Sequence, residues 1–398
     1  DQAVGRLLRA GRLAQAFAVA DSGRARVLRA AQAPARLAGL AEAQRQAWAA
    51  RLEGAALAAE ALRAHGTKAA LVPEDRRAAW ATEQARLEAA HDAAFEGAYA
   101  WLDAVAPIRG DTGATAAETQ SRLAVDEALL AFARTPAGWR VFVLDRDRLT
   151  VHAADPGHAW PGVFARVDQY AHLYVVPGGH PQGFAAFNRG DEPPALRWTV
   201  SWLPHAGLLA QPSGEAGAAV VIGDPNHDLQ GAFAEGRAVA EALGGVRLLR
   251  GQATVAAVRS ALASAATIHF AGHGVLGDRD PWAAHLQLAD GVLGLPDLLT
   301  LPLAGRPRVV LSGCETGVDA VLLDERAVGL AEAFLAAGAV SVVATDRPVA
   351  DGAALAFMKL FYESDGATQP ARAAQSAARA LRANGNPHWS AFRVIGRR

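Results

Sequence analysis

Two short segments of this 398-residue chain each set a reactive side chain beside glycine at the end of an apolar run. One runs Thr267-Ile-His-Phe-Ala271 into Gly272-His273-Gly274; the other runs Arg308-Val-Val-Leu-Ser312 into Gly313-Cys314. Each run has the length of a buried strand. Glycine just past a strand lets the main chain turn sharply and lets a ligand approach it closely. A thiol is a weak nucleophile until it loses its proton, and a nearby imidazole can take or hold that proton. If the two strands are neighbours, His273 and Cys314 meet at one rim of a sheet, although 314 − 273 = 41 positions separate them. The chemistry expected there is attack of Cys314 on a carbonyl carbon, with His273 as general base. The main-chain N–H groups of Gly274 and Cys314 would receive the negative oxygen, and loss of one such donor typically costs about 10²–10³ in turnover.

Other readings of the same residues are blander. A lone cysteine is commonly a small buried hydrophobe. Histidine is used 12 times, so the glycine-flanked strand end is what singles out His273. His269 shares a strand face with Ala271, two residues on, and is expected to pack and hydrogen-bond to a neighbour. Asp224 before Pro225 reads as a turn residue, and Asp297 as an acid at a helix start. No His, Asp, Glu or Cys spacing suggests a metal site, so no metal or other cofactor is expected. Neither a Gly-rich dinucleotide fingerprint nor a phosphate-binding loop motif occurs.

The elements that must hold these residues follow from texture. Residues 1–106 are dominated by Ala, Leu, Arg, Glu and Gln, with Pro only at Pro34 and Pro73, and read as antiparallel helices. Residues 107–119 begin with a Gly-, Asp- and Thr-containing linker. Strands are expected at 127–133, 139–144 and 149–153, joined by turns, as a β-meander. From about residue 170 strands alternate with amphipathic helices: strands at 172–176, 218–222, 267–271, 308–312 and 339–345, helices at 231–243, 254–265, 327–337, 351–362 and 370–382. Short apolar strands between helices predict a mostly parallel sheet covered on both faces, and chemistry in such sheets gathers at the strands' carboxyl ends.

Bulk numbers narrow the partners. A formal net charge of −1 gives no basic footprint for nucleic acid or an acidic membrane surface. The apolar run 336–345 is far short of the roughly 20 residues of a membrane helix. One cysteine excludes an internal disulfide and fits a reducing cytoplasm. The chain opens at Asp1 and its one methionine is Met358, so sequence upstream of Asp1 is expected. Near-exclusive use of Arg over Lys, with abundant Ala and Gly, suggests a bacterial source.

The segments Ile268-His-Phe-Ala-Gly-His-Gly274 and Val310-Leu-Ser-Gly-Cys-Glu-Thr-Gly317 resemble the paired signatures of CHAT-domain cysteine peptidases, relatives of caspases and separase. Further blocks follow in family order: Leu173-Tyr-Val-Val-Pro177, Leu203-Pro204, Gly223-Asp-Pro225 with Leu229 and Glu235, Gly329 through Gly338, and Trp389-Ser-Ala-Phe392 with Gly396. The likeness spans roughly residues 120–398. It implies a caspase-like α/β fold with helices on both faces of a mostly parallel sheet, preceded by an all-α segment and a short β-meander. The implied organisation is a helical, tetratricopeptide-like interaction segment at 1–106, a linker at 107–119 and a peptidase domain at 120–398, with the meander at 120–170 and the α/β core at 171–398. The stretch Ala16-Phe17 through Asp21, Arg24, Ala25, Arg26 and Leu28 is similar to the family's junction helix.

The resemblance further implies hydrolysis of peptide bonds in a specific protein substrate, with activity released by a partner bound to the N-terminal helices. Bacterial defence or signalling is the implied setting. One departure stands out: where relatives carry a Trp-Pro-Val-x-Asp turn, this chain has Arg347-Pro-Val-Ala-Asp351. Asp351 matches an acid that selects a basic residue before the cut bond. Arg347 in the Trp position would either neutralise that acid or favour an acidic substrate residue. Two rival readings stay open: the same fold kept as an inactive protein-binding scaffold, and a non-proteolytic hydrolase or acyltransferase using the same thiol.

Overall fold

A computed structural model of the chain describes residues 2–31, 37, 39–66, 72–106, 114–154, 160–180, 185–210, 214, 217–275, 283–301, 303–313 and 329–398. Its centre is an eleven-stranded sheet. The strands in chain order are β1 (Glu127–Thr135), β2 (Gly138–Leu144), β3 (Leu149–Ala153), β4 (His172–Val176), β5 (Thr199–Trp202), β6 (Ala219–Gly223), β7 (Val246–Leu249), β8 (Thr267–Ala271), β9 (Gly274–Val275), β10 (His285–Leu288), β11 (Gly291–Gly294), β12 (Arg308–Ser312), β13 (Ser341–Thr345) and β14 (Phe392–Gly396). The large sheet runs β3-β2-β1-β4-β5-β14-β13-β12-β8-β6-β7, and β11-β10-β9 form a small sheet of their own. Pairing is parallel from β13 through β12, β8 and β6 to β7, and antiparallel in the meander and between β13 and β14. β1 also pairs in parallel with β4, so the meander extends the main sheet.

Both faces of that sheet are covered, as the continuous apolar strands require. Val309 and Leu311 of β12, with Val342 and Ala344 of β13, enter one core. Val310 and Val343, the alternate positions, enter a second. Helices α5 (Gln230–Leu243), α6 (Val255–Leu262), α7 (Leu295–Thr300), α8 (Leu330–Ala336), α9 (Asp351–Glu363) and α10 (Pro370–Ala383) build the covering layers, α1 to α4 being the N-terminal helices among the described residues. The α/β sheet architecture expected from the sequence is present. Strands β5, β7 and β9 to β11 are additions to that expectation. β7 lies at the sheet edge with Val246 and Arg247 exposed, so no buried apolar run marks it in the sequence.

The N-terminal helices are α1 (Gln2–Arg9), α2 (Leu13–Ala31), α3 (Glu42–Gly66) and α4 (Arg77–Val105). α3 and α4 pack on each other around Trp48, Leu52, Ala98 and Leu102. α1 and α2 instead join the main core through Val4, Ala16 and Phe17. Phe17 meets Phe142 of β2 edge-on, ring centres 5.7 Å apart. Asp21 is buried, and its carboxylate accepts the main-chain N–H groups of Ala206 at 2.7 Å and Ala114 at 3.0 Å. A buried carboxylate needs such donors to offset lost hydration. Together with Arg24, which donates to the Phe132 carbonyl of β1, they fasten α2 to the sheet. Among the described residues, no helix is long and apolar enough to cross a membrane.

Candidate active site

β8 and β12 are parallel neighbours in register, with Phe270 opposite Leu311 and Ala271 opposite Ser312. His273 stands two residues past Ala271, and Cys314 stands two residues past Ser312. Cys314 itself lies outside the described residues, as does the chain from there to residue 328. The backbone leading to it is fixed up to Gly313, whose carbonyl accepts the Thr345 hydroxyl at 2.9 Å. That bond ties the ends of β12 and β13 together at the same rim.

His273 is partly exposed, and its Nε2 lies 3.1 Å from each carboxylate oxygen of Asp228. A carboxylate only accepts, so Nε2 carries the proton in this pair. Gly272 before it is forced by crowding: a Cβ there would sit 3.0 Å from Cδ of Pro225 and 3.1 Å from Cζ of Phe270. After it, the carbonyl of His273 accepts the N–H of Gln287 at 3.0 Å. Hydrogen-bonded and non-bonded pairs alternate in an antiparallel ladder. Gly274, paired with Leu286, is therefore a non-bonded position, and its N–H points away from β10.

Asp228 belongs to a loop running from the end of β6 into α5. Asp224 is buried and adopts φ 48°, and His227 adopts φ 63°. One oxygen of Asp224 accepts the N–H groups of Asp228 at 3.0 Å and Leu229 at 2.9 Å; the other meets Nε of Arg250 at 3.2 Å. Arg250 in turn lies 3.9 Å over the ring of Phe233. Asp224 is thus the turn residue expected from sequence. Asp228 was not legible there, because nothing in the spacing links a loop acid to a histidine 45 positions on.

Beneath the rim, buried His269 of β8 lies between buried Glu235 and half-buried Tyr362. Its Nδ1 is 3.0 Å from the Tyr362 hydroxyl of α9, and its Nε2 is 3.0 Å from Glu235 of α5, off the line of a good hydrogen bond. Burial, with Glu235 adding, pushes the Tyr362 hydroxyl well above its ordinary pKa. The packing and hydrogen-bonding role expected of His269 is what this geometry supplies.

A family model for the CHAT domain matches residues 159–397. The chain belongs to the CHAT-domain family. The chain is similar in structure to the Arg-specific cysteine proteinase gingipain R (9% identity, TM-score 0.42, covering 60% of this chain and 65% of that one). It is also similar to the complex of RgpB pro- and mature domains from Porphyromonas gingivalis (11% identity, TM-score 0.44, 60% and 67%). A third similar structure is the separase–securin complex of Saccharomyces cerevisiae (12% identity, TM-score 0.42, covering 63% of this chain and 16% of that one). The chain therefore spans about two thirds of the gingipain chains and under a fifth of the separase chain. A search of curated proteins returned no significant match. The family and the sheet make this a cysteine-peptidase type of fold.

The turn after β13 carries the remaining candidates in the CHAT domain. Arg347 donates to Asp346 at 2.9 Å and to the Ser390 hydroxyl at 2.8 Å. Asp346 is also paired with Arg393. Of the two outcomes open in the sequence, neutralisation of Asp351 by Arg347 is not what these contacts provide. Asp351 is exposed in the first turn of α9, where the helix dipole favours its charge, and no cation pairs with it among the described residues. It abuts the first turn of α5, since a Cβ on Gly231 would lie 2.3 Å from Cβ of Asp351. Also among the described residues, no group of three or more His, Cys, Asp or Glu is placed to hold a metal ion.

Proposed function

We propose that this chain is a cysteine endopeptidase that cuts a specific protein after Arg or Lys, with Cys314 as nucleophile and His273 as general base. The observation that carries this reading is the in-register pairing of β8 and β12, which gives His273 and Cys314 the same two-residue offset past paired positions. The thiol proton passes to His273 as Sγ bonds to the scissile carbonyl carbon. The oxygen takes the electron pair and is held by the Gly274 and Cys314 N–H groups; the ladder geometry that turns the Gly274 N–H away from β10 supports that role. When the intermediate collapses, the C–N bond breaks and the imidazolium protonates the departing amine. Water then attacks the thioester, its proton goes to His273, and the thiol is restored.

Selection of a basic residue rests on Asp351, whose carboxylate, with no cation paired to it among the described residues, can pair with an incoming guanidinium or ammonium group. Engagement of Arg347 by Asp346 and Ser390 supports that assignment. The N-terminal helices are tetratricopeptide-like in this reading and receive an activating protein. Fastening of α2 to the sheet through Phe17, Asp21 and Arg24 supports mechanical coupling between those helices and the peptidase domain. A role in bacterial cytoplasmic defence or signalling completes the proposal.

The test is a proteome-derived peptide library digested by the chain co-expressed with its genomic neighbours, with new termini mapped by mass spectrometry. Cuts after Arg or Lys are expected, absent in Cys314→Ala and with the basic preference reduced about 10–100-fold in Asp351→Asn. A library left uncut in every combination would favour the scaffold reading, and cuts unaffected by Asp351→Asn would remove the specificity claim.

A further inference from the structure

The proposed reaction uses one ring nitrogen of His273 and leaves the other without a task. That second nitrogen, Nε2, is 3.1 Å from both Oδ1 and Oδ2 of Asp228. We infer that Asp228 is a positioning residue for His273: it holds the ring proton on Nε2, so that Nδ1 offers its lone pair to the thiol, and it steadies the imidazolium once the second proton arrives. This role deepens the peptidase reading and rests on it for its catalytic consequence, while the pair itself does not.

Surface ion pairs between long, mobile side chains contribute little, and His273 and Asp228 are 36% and 55% exposed. Two features set this pair apart. Both partners are short side chains, and both are mounted on a fixed backbone. His273 is held between β8 and β9, with its carbonyl bound by the Gln287 N–H. The Asp228 N–H is bound by the buried Asp224 carboxylate, which also binds the N–H of the next residue, Leu229, at the start of α5. The seat of α5 is itself set by a close backbone approach to β6, because a Cβ on Gly223 would lie 3.1 Å from Cα of Gly236.

A second connection closes the frame. Asn226 of the same loop donates to the Gln287 side chain at 2.6 Å, and Gln287 is the residue whose N–H holds the His273 carbonyl. Loop, β10 and imidazole thus form a closed circuit of contacts: Asn226 to Gln287, Gln287 to His273, His273 to Asp228. In the same loop Asp224 and His227 adopt left-handed backbone conformations, uncommon for non-glycine residues although Asp and His take them more readily than most. Such conformations persist where the surroundings over-determine them, and they gather at functional sites. In hydrolytic triads, converting the orienting carboxylate to an amide leaves the geometry intact, imposes the wrong imidazole tautomer and costs about 10⁴ in turnover.

The experiment uses the full chain as wild type, Asp228→Asn and Asp228→Glu, the asparagine variant being close in shape and at an exposed position. Two quantities are read: the rate of Cys314 alkylation by iodoacetamide across about pH 5 to about pH 9, and the His273 ring ¹⁵N shifts at alkaline pH in a Cys314→Ala background. Wild type should show the Nε2–H tautomer, and Asp228→Asn should populate Nδ1–H. Alkylation of Asp228→Asn near neutral pH should slow about tenfold or more, with a changed pH profile, and Asp228→Glu should recover most of the rate. Wild-type tautomer and alkylation profile in Asp228→Asn would overturn the inference. The tautomer is read without substrate, so the two proposals fail separately. A chain that cuts no peptide yet shows Asp228-dependent tautomers loses only the peptidase reading, and peptide cutting undiminished in Asp228→Asn overturns only this one.

Discussion

A side chain at Gly272 would be crowded. The obstruction is the Cδ of Pro225 at 3.0 Å and the Cζ of Phe270 at 3.1 Å from a built Cβ, while its φ lies outside the left-handed region. Glycine is favoured here by close approach and not by an unusual turn, a distinction the letter G in a sequence does not carry. Gly272→Ala must therefore move the Asp224–Pro225 loop or the end of β8, at a cost of roughly 1–3 kcal/mol. Because that loop also carries Asp228, the substitution should slow Cys314 alkylation more than the stability loss alone explains. Urea denaturation and alkylation kinetics on one preparation check both; an alanine variant matching wild type in each would show that the crowding is relieved without consequence. Arg347 makes a similar point in reverse. Its place in the sequence left open Asp351 or an acidic substrate residue as its partner, and its contacts here, Asp346 and Ser390, come from its chain neighbour and from the segment before β14.

At the scale of elements, β4, β8 and β12, with buried apolar runs, appear with the expected bounds, and so does the half-exposed β3, which its flanking turns mark out. The edge strand β7 and the short strands β9 to β11 did not, because pairing across few residues and half-exposed faces leave little periodic signal. β4 also carries a group that no periodicity marks as unusual. His172 is fully buried, and burial, with Arg398 adding, holds its pKa down to about 3 from the ordinary 6.5. The unfolded chain takes up a proton on this residue as pH falls below 6.5, and the folded chain does not until about 3. Its contribution to stability is therefore whole above pH 6.5 and declines as pH falls from there toward 3, by up to about 1.4 kcal/mol per pH unit. The urea midpoint should drop between about pH 7.5 and about pH 5 in wild type and drop less in His172→Gln. Equal slopes in the two proteins would assign the acid sensitivity to other groups.

Taken whole, the molecule is one large sheet whose parallel half ends in a chemical rim and whose antiparallel meander receives the helix that leads in from the N-terminus. Both halves of that description were partly legible. The ordered blocks from Leu173 to Gly396 gave the α/β core, and the helix-rich composition before residue 106 gave the helices. What stayed hidden was contact over long sequence separation. Asp21 bonds Ala206 across 185 positions, and Asp228 meets His273 across 45. Neither contact lies on a repeating face, so neither leaves a period to read. The account stands on His273 and Cys314 working as a pair at that rim. Its most direct test is labelling of the full chain with a peptidyl-arginyl chloromethyl ketone, followed by intact-mass and peptide mapping. The account predicts one adduct per chain, on Cys314, with the rate lowered by about 10²-fold or more in His273→Ala. Labelling of Cys314 at an unchanged rate in His273→Ala would contradict it.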